Sequence, residues 1–365
     1  MIVSLDAPIF KFLYFASLVL LVGSGAYARY LEPRLASVTL FKRLHFLGAA
    51  LLIASSLLDV GFTANRALGE LSPYLYGAYL TRTWNGQWVI LRVVLAALLA
   101  WLALQPRPEL RLVPRVPARL VDGALHGALT VVLCLTLSMT SHVGSRGELL
   151  PIIGDLVHLL AMLVWVSAVF YTALHRFASP RDGVNVLERV SLVAAISVGA
   201  LSLTGLYAGL VRLWAPELLS ITQYGQTLVL KLAIVGVALV LAAINRFQWM
   251  PLLRRLPSRF PGFQRLLGLE ALVLTAVLMS TSALTTTAPP ERGAGLKRVI
   301  TFKQTQGVWT LDGTANPTAL GGGTTQFPRH RTTRLHPRVR RQVGRVPGHV
   351  LARHERHRPE RATLE

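Results

Sequence analysis

Eight runs of roughly twenty apolar residues occupy most of this 365-residue chain and constrain its fold more than any other feature. A helix of that length crosses the ~30 Å of hydrocarbon in a bilayer and satisfies its own backbone hydrogen bonds there. Only 15% of the residues are charged, whereas soluble domains average about 25%. We therefore predict an all-α, polytopic membrane helical bundle with about eight transmembrane helices, at Pro8–Tyr30, Leu44–Thr63, Trp88–Leu104, Leu120–Thr140, Ile152–Leu174, Leu187–Leu213, Thr227–Phe247 and Phe263–Leu284.

Lysine and arginine are distributed unevenly among the loops between these spans. The first, third, fifth and seventh loops carry sixteen of them, and the second, fourth and sixth carry four. Because basic short loops stay on the cytoplasmic side, we expect a multi-pass protein of the cell inner (plasma) membrane. Both termini would then lie on the outer side, which is periplasmic in a Gram-negative cell. The same distribution assigns the basic loops to membrane lipid rather than nucleic acid, although the formal net charge is +21.

The chain divides into three parts by composition. Residues 1–287 form the eight-helix transmembrane domain. Residues 288–320 are a possible start of a small outer β domain, because Lys297–Asp312 contains β-forming residues in loose alternation. Residues 321–365 form a basic tail: Gln326–Glu365 holds eleven arginines, five histidines and three acidic residues. A disordered tail, a frameshifted reading of the β domain, and a segment that binds metal or anionic lipid are the alternatives for it.

A polar corner is expected where the fourth and fifth spans meet at the short turn Ser141–Pro151. The fifth span carries three candidate ligands at i, i+3 and i+7, a spacing that places them on one helical face. The fourth span ends in a further pair at i and i+3, and the short turn makes the two helices antiparallel neighbours. The residues of this corner are Met139, His142, Asp155, His158 and Met162.

Copper is the metal that these side chains suggest. Imidazole and thioether groups suit copper, and a carboxylate can orient a coordinating imidazole. We predict that the corner binds copper in the outer half of the membrane or at its outer surface. Trp165 continues the same face of the fifth span. The alternative is that the histidines form hydrogen bonds between helices while the methionines fill space.

Other ionisable residues lie inside or beside the spans, where an ionisable side chain is costly unless it has a partner or a function. His126, in the inner half of the fourth span, is a candidate relay site for a metal ion, and the alternative is a packed polar residue. We expect His45 and Arg92 near the membrane interface, Arg92 by extending its long side chain outward. We expect Glu270 to pair with an arginine such as Arg246.

Several of these segments resemble the copper resistance protein D family of inner-membrane copper proteins. The resemblance covers most of Leu44–Leu284 and is strongest over Leu120–Pro251. The segments that carry it are Ser141-His142, Asp155-Leu156-Val157-His158, Trp165, Leu187-Glu188-Arg189-Val190-Ser191, Thr204-Gly205, Tyr224-Gly225-Gln226-Thr227-Leu228-Val229-Leu230-Lys231, Asn245-Arg246 and Pro251.

The resemblance implies a membrane protein, not an enzyme, that moves copper into the cell beside a periplasmic copper-binding partner of the copper resistance protein C type. It carries a functional role over to His142, Asp155 and His158, whereas Met139 and Met162 are added from helical geometry. Two alternatives remain. One is a b-type cytochrome in which two histidines ligate haem, and the other is a copper sensor or scaffold that transports nothing.

Overall fold

A computed structural model describes residues 6–32, 39–68, 72–104, 118–141, 148–212, 217–287, 300–305 and 308–313. Within these residues, eight helices are long and apolar enough to cross a membrane, which confirms the predicted all-α membrane bundle. They are α1 (Pro8–Leu31), α2 (Thr39–Asn65), α3 (Trp84–Ala103), α4 (Leu120–Met139), α5 (Leu149–Leu174), α6 (Pro180–Val211), α7 (Gln223–Arg255) and α8 (Pro257–Thr286). Two shorter helices, Pro73–Arg82 and Leu218–Ile221, precede α3 and α7.

Helix α1 lies at the centre of the bundle and packs against α2, α5 and α8. Its path includes two π-helical segments, Val19–Gly23 and Tyr27–Leu31. The approach to α2 is close enough that a Cβ on Gly48 would overlap the α1 backbone. Small residues allow membrane helices to pack this closely, where lipid supplies no hydrophobic drive between them.

Arg92 contradicts the expectation that it extends to the interface, because its side chain is only 2% exposed. Its guanidinium donates to Thr136 Oγ1 at 3.0 Å, to the Thr136 carbonyl at 2.7 Å and to Thr140 Oγ1 at 2.7 Å. It also donates to the hydroxyl of Tyr14. These acceptors satisfy a buried guanidinium, so Arg92 links α3 to α1 and α4 inside the bundle.

Helix α7 runs past the predicted end at Phe247, as far as Arg255. It consists of the α-helix Gln223–Ile244, the π-helical segment Asn245–Trp249 and a last turn, Met250–Arg255. The hydropathy pattern stops earlier because basic residues follow, but a helix can continue beyond the hydrocarbon. The π-helical segment turns Asn245 into the bundle, where it is buried.

Beyond the bundle, β1 (Ile300–Thr305) and β2 (Val308–Gly313) pair in antiparallel fashion. Ile300 lies opposite Gly313, and Thr305 opposite Val308. The two strands fall inside the segment for which a small β domain is predicted. The extent of that domain, and the nature of the tail after residue 313, stay predictions.

Candidate functional site

His158 lies in α5, half-buried, and faces α6. Its Nδ1 is 2.8 Å from Thr204 Oγ1, while the Thr204 hydroxyl donates to the Ala200 carbonyl at 2.7 Å. When that hydroxyl gives its one proton to Ala200, Thr204 accepts from the imidazole. In that arrangement Nδ1 carries the ring proton of neutral His158, and the lone pair lies on Nε2.

The residues that share the His158 face of α5 lie where the helical spacing predicts. Asp155, one turn before His158, and Met162, one turn after it, are both half-buried. Trp165, which continues the face, is 4% exposed and belongs to the main hydrophobic core of the bundle. The face thus changes from partly accessible to fully buried along the helix.

The opposite side of the predicted corner is only partly described. Met139 is the last residue of α4 and is half-buried. His142 lies outside the described residues, so its pairing with His158 across the turn stays a prediction. In the part of the chain that the structure covers, no group of three or more His, Cys, Asp or Glu side chains could hold a metal ion. A copper site here would therefore draw on thioethers or on His142 beside Asp155 and His158.

His126 occupies a different place in α4, thirteen residues before Met139, or ~20 Å along the helix axis. It is 2% exposed, and its Nε2 lies against Gly25 of α1, in the space that a Cβ would fill. Nε2 has no hydrogen-bond partner among the described residues. Met139 and His126 therefore cannot share one metal ion, and His126 as a relay stays a separate prediction.

Two neighbours make the surroundings of His126 unlike those of His158. The cation Arg29 lies nearby and pairs with Asp122 at 3.1 Å. His45, also nearby, is 4% exposed and is therefore enclosed by neighbouring helices, while its expected depth near the membrane interface stays a prediction. Its Nε2 donates to the Leu99 carbonyl at 3.1 Å and its Nδ1 lies 2.9 Å from Ser24 Oγ. Both of its nitrogens are engaged, so hydrogen bonds to α1 and α3 account for its burial.

Glu270 pairs with an amide rather than with the arginine expected from the sequence. Its Oε2 accepts a hydrogen bond from Asn245 Nδ2, whereas Arg246 donates to Ser191 Oγ at 2.5 Å. Arg246 follows Asn245 directly, and the helix turns the two side chains in different directions. Glu270 is 2% exposed and lies in the middle of α8.

Sequence reasoning missed two positioning residues, Thr204 and Asn245. Both residues were named only as parts of segments that resemble the copper resistance protein D family, Thr204 in Thr204-Gly205 and Asn245 in Asn245-Arg246. The available signal was polarity, since a hydroxyl or amide inside an apolar run needs a partner. What the spacing could not supply was the identity of that partner on another helix.

Comparisons with known proteins agree with this architecture. Inner membrane protein YebZ of Escherichia coli (strain K12) is 26% identical over 295 residues, which cover 76% of this chain and 97% of YebZ. No solved structure matches the chain. One family model, described as Copper resistance protein D-like, N-terminal domain, matches residues 4–150. A second, described as Copper resistance protein D, matches residues 184–284. The two models together cover more than half of the chain, which belongs to the copper resistance protein D family.

Proposed function

We propose that this protein takes copper up across the inner membrane, accepting the ion at the outer end of α5. Membership of the copper resistance protein D family and a relative that is named an inner membrane protein support the setting. The basic loops support an orientation with both termini outside, which places the corner between α4 and α5 at the outer face. The copper ion is cargo in this proposal, and no covalent chemistry is assigned to the chain.

The observation that carries the proposal is the hydrogen bond between His158 Nδ1 and Thr204 Oγ1 at 2.8 Å. A bond of this kind fixes the tautomer and holds the ring plane, as the outer-shell partners of metal-binding histidines do. Asp155, one turn away on the same helix, supplies negative charge toward an arriving cation. Met139 and Met162 offer thioethers, which suit copper(I).

The partner in this proposal is a periplasmic copper-binding protein of the copper resistance protein C type, which would deliver the ion to the corner. His142 completes the proposed capture site from the turn after α4. Neither the periplasmic partner nor His142 is needed to orient the His158 ring, which depends only on Thr204 of α6.

Substitution of Thr204 tests the tautomer argument directly. Thr204→Val keeps the shape of the side chain but removes the hydroxyl, so the imidazole loses its acceptor. We expect the initial rate of copper uptake to fall by about 10-fold or more, the range typical for loss of such a partner. The measurement is copper accumulation in cells that express equal amounts of the protein.

The matched control is Thr275→Val in α8. Thr275 donates to the Ala271 carbonyl at 2.9 Å, as Thr204 donates to Ala200, so both variants lose the same bond within a helix. Uptake by Thr275→Val should stay at the wild-type rate. Equal copper uptake rates in Thr204→Val and Thr275→Val would mean that the Thr204 hydroxyl does not help His158 to bind copper.

The b-type cytochrome finds no support in the two histidines buried near α1. Both nitrogens of His45 are engaged, and Nε2 of His126 lies against Gly25. Axial ligation needs a nitrogen of each ring directed at one iron atom. A Soret band in the absorption spectrum of the purified protein would nevertheless decide for haem, and bound copper without that band would decide for the proposal.

A further inference from the structure

A buried polar cluster where α5, α7 and α8 meet is not used by the proposed capture site. It consists of Glu270, Asn245 and Trp165, which are 2%, 8% and 4% exposed. Asn245 Nδ2 donates to Glu270 Oε2, and the Trp165 indole lies beside the same carboxyl group. Asn245 begins the π-helical segment of α7, an irregularity that is frequent at functional sites.

Among the described residues, no cation forms a salt bridge with the Glu270 carboxyl group. Four cations of the helices that pack against α8 have other partners: Lys11 pairs with Asp59, Arg29 with Asp122, Arg246 with Ser191 and Arg254 with Glu188. His158 lies two helical turns from Trp165 along α5. A carboxylate buried without a positive charge is costly. The charge of Glu270 must therefore be neutralised, either by a proton on the carboxyl group or by another cation close to it.

One further atom of the cluster is unsatisfied, since Asn245 Oδ1 is buried and meets no hydrogen-bond partner within the described part of the chain. The Trp165 indole N–H interacts with the Glu270 carboxyl group, although not with the geometry of a full hydrogen bond. Native proteins rarely leave such atoms unpaired, and an exception asks for an explanation. The Glu270 carboxyl group thus meets an amide and an indole, while the amide oxygen of Asn245 lacks a donor.

Trp165 of the cluster and His158 of the capture site lie on one face of α5. Trp165 follows His158 by seven residues, which is two helical turns and ~10 Å. Met162 lies between them on the same face and packs against the main core. A thioether therefore lies between His158 and Trp165, the indole beside Glu270.

We propose that Glu270 holds a proton that copper(I) displaces, so that inward copper movement is exchanged for outward proton movement. This inference rests on the proposed function. When copper(I) arrives, the O–H bond of the carboxyl group breaks, the proton leaves to water on the outer side, and the carboxylate faces the copper charge. A proton taken from the inner side then binds the carboxylate, and copper(I) is released inward. One positive charge replaces another, and no electron is transferred.

Purified protein in vesicles that enclose a pH-sensitive dye provides the test. Copper(I), kept reduced with ascorbate, is added outside, and copper entry and internal pH are recorded together. We expect copper entry to make the interior alkaline at about one proton per ion, and Glu270→Gln to abolish the proton movement and lower copper entry at least tenfold. Glu270→Asp, which keeps a carboxyl group, should retain part of both.

Glu188→Gln is the matched control, because Glu188 is an exposed carboxylate that pairs with Arg254 at 2.7 Å. It should behave as the wild type. Variants are compared only at equal thermal stability and dispersity in detergent. Infrared spectra supply a second readout, since the carbonyl stretch of a protonated carboxyl group should be present in wild type and absent in Glu270→Gln.

The outcomes separate the two proposals. Wild-type vesicles that admit no copper would overturn the proposed function. Copper entry without a pH change, or with a pH change that survives Glu270→Gln, would overturn the exchange alone. So would infrared spectra in which Glu270→Gln loses no protonated carboxyl signal.

Discussion

His126 and His158 are both histidines within apolar spans, but they differ in burial and in hydrogen bonding. His126 is 2% exposed, faces the backbone of α1 at Gly25 and has no hydrogen-bond partner among the described residues. His158 is half-buried and is oriented by Thr204 from α6. The difference teaches that two histidines in apolar spans can have unlike surroundings, one enclosed by packing and the other partly accessible and held by a hydrogen bond from a neighbouring helix.

Alanine substitutions of the two histidines should separate them most strongly. His158→Ala removes the proposed ligand, and we expect the initial copper uptake rate to fall by more than ~10-fold. His126→Ala empties a packed site, so we expect a stability loss of about 2 kcal/mol or more with uptake per protein molecule unchanged. Copper accumulation normalised to the amount of protein, together with thermal unfolding in detergent, measures both.

Two results would break this comparison. Unchanged uptake in His158→Ala would remove the capture site. Reduced uptake per molecule in His126→Ala would instead restore His126 as a relay for the ion.

Each histidine has a glycine opposite it, and these glycines offer a stability test of the same contrast. A Cβ on Gly25 would occupy the position of His126 Nε2, so Gly25→Ala should destabilise the protein by about 1–3 kcal/mol. A Cβ on Gly205 would lie 3.6 Å from His158 Cε1, which is ordinary contact. Gly205→Ala should therefore stabilise its helix by about 0.5–1 kcal/mol.

Unfolding midpoints in one detergent decide between these signs. Gly199→Ala is a suitable reference, since nothing lies within 4 Å of that Cβ position. A neutral Gly25→Ala would mean that the His126 ring has room to move, which the packing against α1 denies.

The smallest expected effect is on the pH dependence of stability and involves His175, which lies just past the end of α5. It adds a third histidine, outside the spans, to the comparison of His126 and His158. Burial lowers the pKa of His175 below its ordinary value, and Glu32 opposes that change. The unfolded chain therefore binds a proton more readily than the folded one. The stability that His175 contributes is present above pH ~6.5 and declines as pH falls through that value.

His175→Gln should accordingly flatten the pH dependence of the unfolding midpoint between about pH 7 and pH 6. The ring contacts of His175, centred 5.9 Å from Phe41 and 4.4 Å from Phe177, are lost in the variant at every pH. Only the slope with pH therefore reports on the titration. An unchanged slope would show that another group dominates this range.

Much of the architecture was predictable because hydrocarbon demands long apolar helices, and such helices are visible in the sequence. All eight spans were located, although α7 extends past its predicted end through Asn245–Trp249. Arg92 was misplaced because a single apolar run does not show whether its neighbours carry acceptors. Thr136 and Thr140 are forty or more positions away and belong to another helix.

The candidate site shows the same division. Helical periodicity was sufficient to place Asp155, His158, Met162 and Trp165 on one face, because residues of one helix keep a fixed angular relation. Periodicity could not assign a tautomer to His158, since that depends on a hydroxyl contributed by α6. It also could not pair Glu270 with Asn245 instead of Arg246, because adjacent residues of a helix point in different directions.

Hydrophobicity and the placement of charge in the amino-acid chain specify the eight spans. The helical period within one span specifies that the candidate ligands of α5 share one face. These are properties of single segments, governed by the cost of polar groups in lipid. Contacts between helices settle which histidine is held by packing, which is oriented by a hydroxyl, and which carboxyl group is left without a cation. Those properties depend on distances between residues far apart in the chain, and only the packing of the bundle fixes such distances.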